Sequence, residues 1–285
     1  MVYLLLAIAS SAMVSIGMRI TEKYVRNTMV MFTANYALCL VLSLFYLGDT
    51  RLFTHEQGIG TAVALGVISG VFYLLCFVLL QKNIRCNGVI LSSAAMKLGS
   101  VMIPVLLAIL LFHEPMGRTA FAGIILAVTA ILLMNMKKVS RKNGDVRGER
   151  KTPWLLFLLL GSGFTDTMAN IYDKIGAEGL KNQYLFYTFF AALLTALVMA
   201  LLNKQKIRFA DIVSGLLIGI PNYYSARFLL LSLGYVAAVI AYPVYSAGTI
   251  MLTSIIGLLV FSEKLNAQKK LALVLILAAL VLLNL

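Results

Sequence analysis

The sequence predicts an all-α polytopic membrane protein whose ten transmembrane helices form two inverted five-helix repeats. Three observations predict it. The 285-residue chain is 61% hydrophobic and 12% charged, with a mean hydropathy of +0.94, whereas a soluble domain is roughly half apolar and a quarter charged. Its polar residues are too few to coat a water-soluble particle, so the bilayer is the solvent for most of it. The apolar residues fall in continuous runs of about 20, the length that crosses the hydrocarbon, without the alternation of a barrel strand. The second half of the chain repeats the first.

Breaking the chain at charged and turn-forming clusters places the spans at about 2–24, 28–47, 57–81, 88–112, 119–136, 153–175, 183–203, 210–233, 237–261 and 270–285. The first lacks both a basic stretch before its apolar run and a small-residue cleavage site, so it reads as helix 1 and not as a signal peptide. Lys23 and Arg26 close it, Arg51 follows helix 2, and Lys82 and Arg85 follow helix 3. Helix 4 ends at His113–Gly117 and helix 5 at the basic stretch beginning at Lys137. Lys174 and Lys181 bracket the next break, Lys204 to Arg208 close helix 7, Gly234 follows helix 8, and Lys264 to Lys270 separate helices 9 and 10. The longest hydrophilic stretch, Lys137 to Thr152, is far below the roughly 50 residues of the smallest ordinary domain. No soluble catalytic domain fits.

A shift of 149 lays helices 3–5 on helices 8–10 without a gap: Gly66 meets Gly215, Gly70 meets Gly219, Gly99 meets Gly248, Met102 meets Met251, Phe112 meets Phe261, Glu114 meets Glu263 and Asn135 meets Asn284. Earlier helices need slightly larger shifts, pairing Ser11 with Ser162, Lys23 with Lys174, Asn27 with Asn182 and Thr33 with Thr188. The organisation read from this is a first repeat over 1–136, a basic linker over 137–152 and a second repeat over 153–285. Five helices per half is odd, so the second half enters from the opposite side and the repeats are inverted. Secondary transporters recurrently use this construction, because two similar halves can exchange conformations around a midplane site.

Each half also carries an apolar helix running into "LLFHEPMG" or "LLVFSEKLN" before a last hydrophobic helix. In this the chain resembles, over essentially its whole length, the EamA-like branch of the drug/metabolite transporter superfamily. The resemblance implies small-molecule transport, with amino acids, other metabolites, drugs or nucleotide sugars as the substrate range, and cytoplasmic termini. The charge distribution departs from the last point. Of the 24 Lys and Arg residues, 18 lie on the side carrying the linker and the loops after helices 1, 3, 5, 7 and 9, four lie on the other side, and Lys97 and Arg227 fall inside spans. The positive-inside rule then places the linker in the cytoplasm and both termini outside, in a plasma (inner) membrane. The net charge of +13 is therefore a topology signal with some attraction to anionic lipid headgroups; no nucleic-acid partner is expected.

Ionisable residues inside spans are costly and face a bundle interior or a water-filled cavity. Ser162, Asp166, Asn170 and Asp173 recur at helical spacing on helix 6, and their mates Ser11, Ser15, Arg19 and Glu22 form a matching stripe on helix 1. Helix 4 carries Ser93, Lys97 and Ser100, and helix 9 carries Tyr242, Tyr245, Ser246 and Thr249. Lys97 lies too deep to snorkel and needs a partner, either Asp166 or a substrate. Helix 8 adds Tyr223, Tyr224 and Arg227. The candidate substrate-binding residues are thus Ser15, Ser93, Lys97, Asp166, Asn170, Tyr223, Arg227, Tyr242, Tyr245 and Ser246. A ring beside a carboxylate suits an amine and the two cations suit a carboxylate or phosphate, so the set favours a zwitterion or a small organic anion.

Other signals read as structural. Gly66 and Gly70, with mates Gly215 and Gly219, are paired GxxxG spacings that let helices 3 and 8 approach neighbours. Glu114 and Glu263 precede the last helix of each half, where a carboxylate can cap orphan amides. Pro104, Pro221 and Pro243 are candidate kinks. Cys39, Cys76 and Cys86 have no CxxC spacing and read as idle thiols, and His55 and His113 lack a partner at metal-ligand spacing. No cofactor or metal is expected, and no phosphate loop is present to support ATP-driven pumping. The expected function is secondary transport of small polar metabolites, with proton or ion coupling and oligomeric state left open. The alternatives are an exporter of cationic or lipophilic drugs and a non-transporting membrane scaffold; an enzyme is not expected, for want of a paired nucleophile and base.

Overall fold

A computed structural model describes residues 1–48, 57–87, 89–135, 152–202, 206–261 and 267–283. Among them the chain forms α1 (Val2–Thr21), α2 (Thr28–Leu47), α3 (Ile59–Asn87), α4 (Val89–Phe112), α5 (Arg118–Asn135), α6 (Thr152–Ile175), α7 (Lys181–Leu202), α8 (Phe209–Leu233), α9 (Ala238–Phe261) and α10 (Ala267–Leu283), with a single 3-10 turn, Glu178–Leu180, leading into α7 and no strand. The linker over 137–151, His55 and Glu263 lie outside the described residues, as do the side chains of Cys86 and Ser93.

Eight helices, all but α5 and α10, are long and apolar enough to cross a membrane, which makes this a polytopic helical membrane protein. The apolar parts of α5 and α10 are Arg118–Leu133 and Lys270–Leu283. At about 1.5 Å per residue they reach about 24 and 21 Å, against a hydrocarbon core of about 30 Å. Length and composition alone therefore carry eight of the ten expected spans.

Burial follows the logic of a lipid solvent. Ala7, Ala12, Ala62, Ala108, Ala127, Ala192, Ala241 and Ala272 have no exposed surface, whereas Phe45, Leu110, Leu201 and Leu259 point outward. Lipid tails are as apolar as leucine, so helices gain by close backbone approach between small residues and leave the large apolar side chains to the lipid.

The helices gather into two compact units, residues 1–74 with 168–236 and residues 75–167 with 237–285. Each unit draws on both sequence halves, and α3 and α6 each contribute residues to both.

In unit 1 the four paired glycines find specific neighbours. A Cβ on Gly66 would lie 2.8 Å from Tyr187 Cβ and 2.9 Å from the Tyr184 carbonyl, and one on Gly70 would strike the Thr188 carbonyl, so α3 lies against α7. On α8, a Cβ on Gly215 would strike the Met31 carbonyl and one on Gly219 would come within 2.9 Å of the Asn35 carbonyl, so α8 lies against α2. The start of α2 is satisfied twice. Asn27 caps it by accepting from Val30 N–H at 3.3 Å, and the buried Asp211 in the first turn of α8 accepts from the backbone N–H groups of Arg26 and Asn27 at 2.8 and 3.3 Å.

In unit 2, α4 lies against α5 and α9, α10 lies against α5 and α9, and Ala130, Ala247 and Ile276 form a dry centre. Glu114, expected to cap the helix that follows it, has its buried Oε2 accepting from Val239 N–H at 3.1 Å, in the first turn of α9. The reason is the turn. His113 takes a positive φ of 50° after α4, the Glu114 N–H returns to the Ala108 carbonyl, and the carboxylate is left to satisfy an orphan amide elsewhere.

Two stability outcomes follow. Gly70→Ala and Gly215→Ala each lower the unfolding free energy by about 1–3 kcal/mol, the usual range for overpacking, read as a fall in thermal midpoint of the solubilised protein. Gly60→Ala, which adds a methyl to open space, leaves that midpoint unchanged. Glu114→Ala costs about 0.5–2 kcal/mol, as for a lost helix cap, and speeds amide exchange in the first turn of α9.

Candidate functional site

The polar groups of unit 2 are assembled by a close helix contact. Gly99 on α4 and Gly163 on α6 face one another: a Cβ on Gly99 would strike the Leu159 carbonyl and the Ser162 hydroxyl, and one on Gly163 would strike Ile103 and come within 2.6 Å of the Gly99 carbonyl. With both side chains absent, the Ser162 hydroxyl reaches the Met96 carbonyl at 3.0 Å and ties the two helices together. Asp166, one turn after Ser162, is thereby brought to α4. Ser100 and Lys97 of α4 are its polar neighbours there. Both ionisable side chains are half-buried, and charged groups within apolar spans ordinarily face a bundle interior or a water-filled cavity.

Proline shapes the same spot. Pro104 inside α4 has no N–H, so the carbonyl four residues earlier, that of Ser100, loses its helical donor. Ser100 therefore offers a hydroxyl and a carbonyl freed of its usual helical donor beside the two ionisable groups.

The third wall comes from α9. Tyr242, Ser246, Thr249 and Thr253 are spaced to share one face. The buried Tyr242 donates its hydroxyl to the Asp166 carbonyl at 2.5 Å, fixing α9 against α6. Ser246 and Thr249 are buried, Tyr245 is half-buried, and the hydroxyls of Thr249 and Thr253 have no hydrogen-bond partner among the described residues. The shift of 149 pairs Lys97 with Ser246 and Ser100 with Thr249, so the polar face of α9 corresponds to that of α4.

The remaining predicted residues lie in unit 1. Ser15 donates to the Ser11 carbonyl of its own helix at 3.2 Å. Asn170 is fully buried, and neither atom of its amide has a partner among the described residues. Asp173 is engaged in an ion pair with Lys181 at 2.7 Å, at the start of α7. Tyr223 and Arg227 belong to an aromatic group that sequence reasoning only half identified. Arg227 Nη1 donates to Asn182 Oδ1 at 2.6 Å and to the Tyr223 hydroxyl at 3.4 Å, and its guanidinium sits 4.0 Å over the Tyr46 ring.

Gly163, Thr253, Tyr46 and Asn182 were not singled out from sequence as site residues. Gly163 carried a usable signal, a small residue beside the polar stripe of helix 6. Asn182 carried one too, as the mate of Asn27; the two have diverged, since Asn27 caps its helix and Asn182 orients an arginine. Tyr46 carried none.

No family model matches the chain. An uncharacterized protein of Haemophilus influenzae is 23% identical over 97% of this chain and 95% of its own length. A crystal structure with 11% sequence identity superposes with a TM-score of 0.76, covering 99% of this chain and 94% of that one. The last is a likeness of fold across the full length.

Tyr242→Phe removes one hydrogen bond and is expected to cost about 0.5–1.5 kcal/mol, measured by denaturation of the solubilised protein. Gly163→Ala is expected to cost more, because its methyl would meet the Ile103 Cβ and the Gly99 carbonyl, neither of them the far end of a flexible side chain.

Proposed function

We propose that the chain is a secondary-active transporter of small polar metabolites, of the amino-acid-like zwitterion or small organic anion class, working by alternating access. The observation that carries the reading is the group formed by Lys97, Ser100 and Asp166. A cation and an anion stand well away from the ends of apolar helices, where each costs several kcal/mol unless compensated, and both keep accessible surface. An ammonium group would meet the Asp166 carboxylate with the Ser100 hydroxyl and carbonyl, and a carboxylate would meet Lys97. A scaffold that needed only to join helices has no use for two accessible side chains of opposite charge at that depth. A purely cationic substrate would be repelled by Lys97.

The ten-span inverted repeat belongs to the same proposal, with α5 and α10 also crossing. It is supported by the shift of 149 and by the glycine contacts: α3 lies on α7 and α8 lies on α2, and exchanging each helix for its mate turns one contact into the other. Resemblance to the EamA-like transporters points the same way. The basic residues support a plasma-membrane orientation with the linker inside.

The test is uptake into proteoliposomes, with labelled amino acids and small organic anions and with imposed proton or sodium gradients to read the coupling. Lys97→Ala and Asp166→Ala each reduce uptake more than about tenfold, a barrier or binding change of about 1.4 kcal/mol or more, while yield and thermal midpoint stay near wild type. A flat response across the panel rules out the reading, and equal loss of folding in both variants makes the pair a structural lock. Labelling of a cysteine placed in the 137–152 linker by an impermeant reagent on intact cells would reverse the orientation.

A further inference from the structure

We propose that Arg227, held by Tyr46, Tyr223, Tyr224 and Asn182, is an oxyanion site in unit 1 that takes the carboxylate of a small organic anion. It deepens the transport reading and rests on it for the ligand class, a small organic anion, but it lies in unit 1 and uses neither Lys97 nor Asp166.

The geometry is that of a prepared cation. A guanidinium has five N–H donors in a planar fork. Here Nη1 is engaged by Asn182 at 2.6 Å and Tyr223 at 3.4 Å, and one face is covered by the Tyr46 ring at 4.0 Å. The supports are themselves fixed. Asn182 Nδ2 donates to the Tyr46 carbonyl at 3.0 Å, which commits its oxygen to the arginine; Tyr46 stacks on Tyr223 with centroids 5.8 Å apart and shares a hydrogen bond with the Tyr224 hydroxyl at 3.1 Å. None of the contacts that Arg227 makes among the described residues is a carboxylate.

A structural arginine in an apolar span is ordinarily neutralised, because an uncompensated buried cation is costly. This one is half-buried, and its contacts among the described residues, two hydrogen bonds at Nη1 and one ring face, are all to neutral groups. The fork of a guanidinium matches the two oxygens of a carboxylate, and with Nη1 already engaged, Nη2 and Nε are its other donors. Arg227 stands six residues before the end of α8 at Leu233, about 9 Å inside at 1.5 Å per residue. A guanidinium braced by aromatic rings at that depth suits a small planar anion better than the phosphodiester of a lipid headgroup.

The experiment uses the full chain in phosphatidylcholine nanodiscs, with sodium benzoate as the probe and benzamide as its uncharged counterpart. Benzoate raises the thermal midpoint saturably and benzamide does not. Arg227→Lys, which keeps the charge but loses the fork and the ring contact, weakens the benzoate response about tenfold. Asn182→Asp sets a carboxylate against the guanidinium, leaves the protein folded and abolishes the response, which keeps the test decisive should the arginine variant fail to fold. Absence of a saturable benzoate shift overturns the proposal, as does a shift that persists in Asn182→Asp. A shift seen in phosphatidylcholine but erased in phosphatidylglycerol nanodiscs also overturns it, since the lipid headgroup is then the occupant. Failure of uptake in proteoliposomes leaves this readout untouched, so the two readings fail separately.

Discussion

Backbone approach at glycine is the constraint on which the rest of the structure depends. In lipid no hydrophobic force drives one apolar helix onto another, and association rests on van der Waals fit and interhelical hydrogen bonds. At Gly66, Gly70, Gly215 and Gly219 a single added carbon would collide with the facing backbone or its Cβ atoms. The same device at Gly99 and Gly163 brings α4 and α6 close enough for Ser162 to bond the Met96 carbonyl, and that bond sets Asp166 beside Lys97 and Ser100. Charge placement in unit 2 is thus a consequence of two missing side chains.

The polar side chains divide by what they do with their hydrogen-bonding capacity. Asp211 and Glu114 spend it on orphan amides at the starts of α2 and α9, and Asp173 spends it on Lys181. These groups hold helix ends. Lys97 and Asp166 keep accessible surface, Thr249 and Thr253 keep unpartnered hydroxyls among the described residues, and Arg227 keeps part of its fork. Groups prepared but not consumed are the ones available to a ligand. Unit 1 offers a guanidinium braced by aromatic rings and unit 2 an amphoteric group braced by serine and tyrosine, so the two sites differ in chemistry as well as in place.

Much of the architecture was legible before any coordinates. The apolar runs, broken at Lys23 and other basic clusters, mark where most helices start and stop to within a few residues; α3 is the exception, running through Lys82 and Arg85 to Asn87, because a helix can continue past the apolar stretch that crosses the hydrocarbon. The deep charges on α4, α6 and α8 stood out against those apolar runs. Less legible were groups whose significance depends on a partner far along the chain. Glu114 caps a helix 125 residues away, and nothing near it in sequence names that helix. Tyr46, an unremarked tyrosine at the end of α2, matters because Arg227 lies over it.

The sequence by itself determined the solvent, the helical class, the approximate helix boundaries and the short list of polar residues too costly to sit in lipid without a role. Those are properties of composition and period, which local physics dictates. Tertiary structure decided which of those residues meet: Asp166 with Lys97 and Ser100, Asp173 with Lys181, Arg227 with Asn182 and Tyr46. It also decided that each compact unit draws on both halves of the chain. The reason is physical. Which helix faces lie together is set by backbone contacts at a few glycines, and a glycine specifies that something comes close without specifying what.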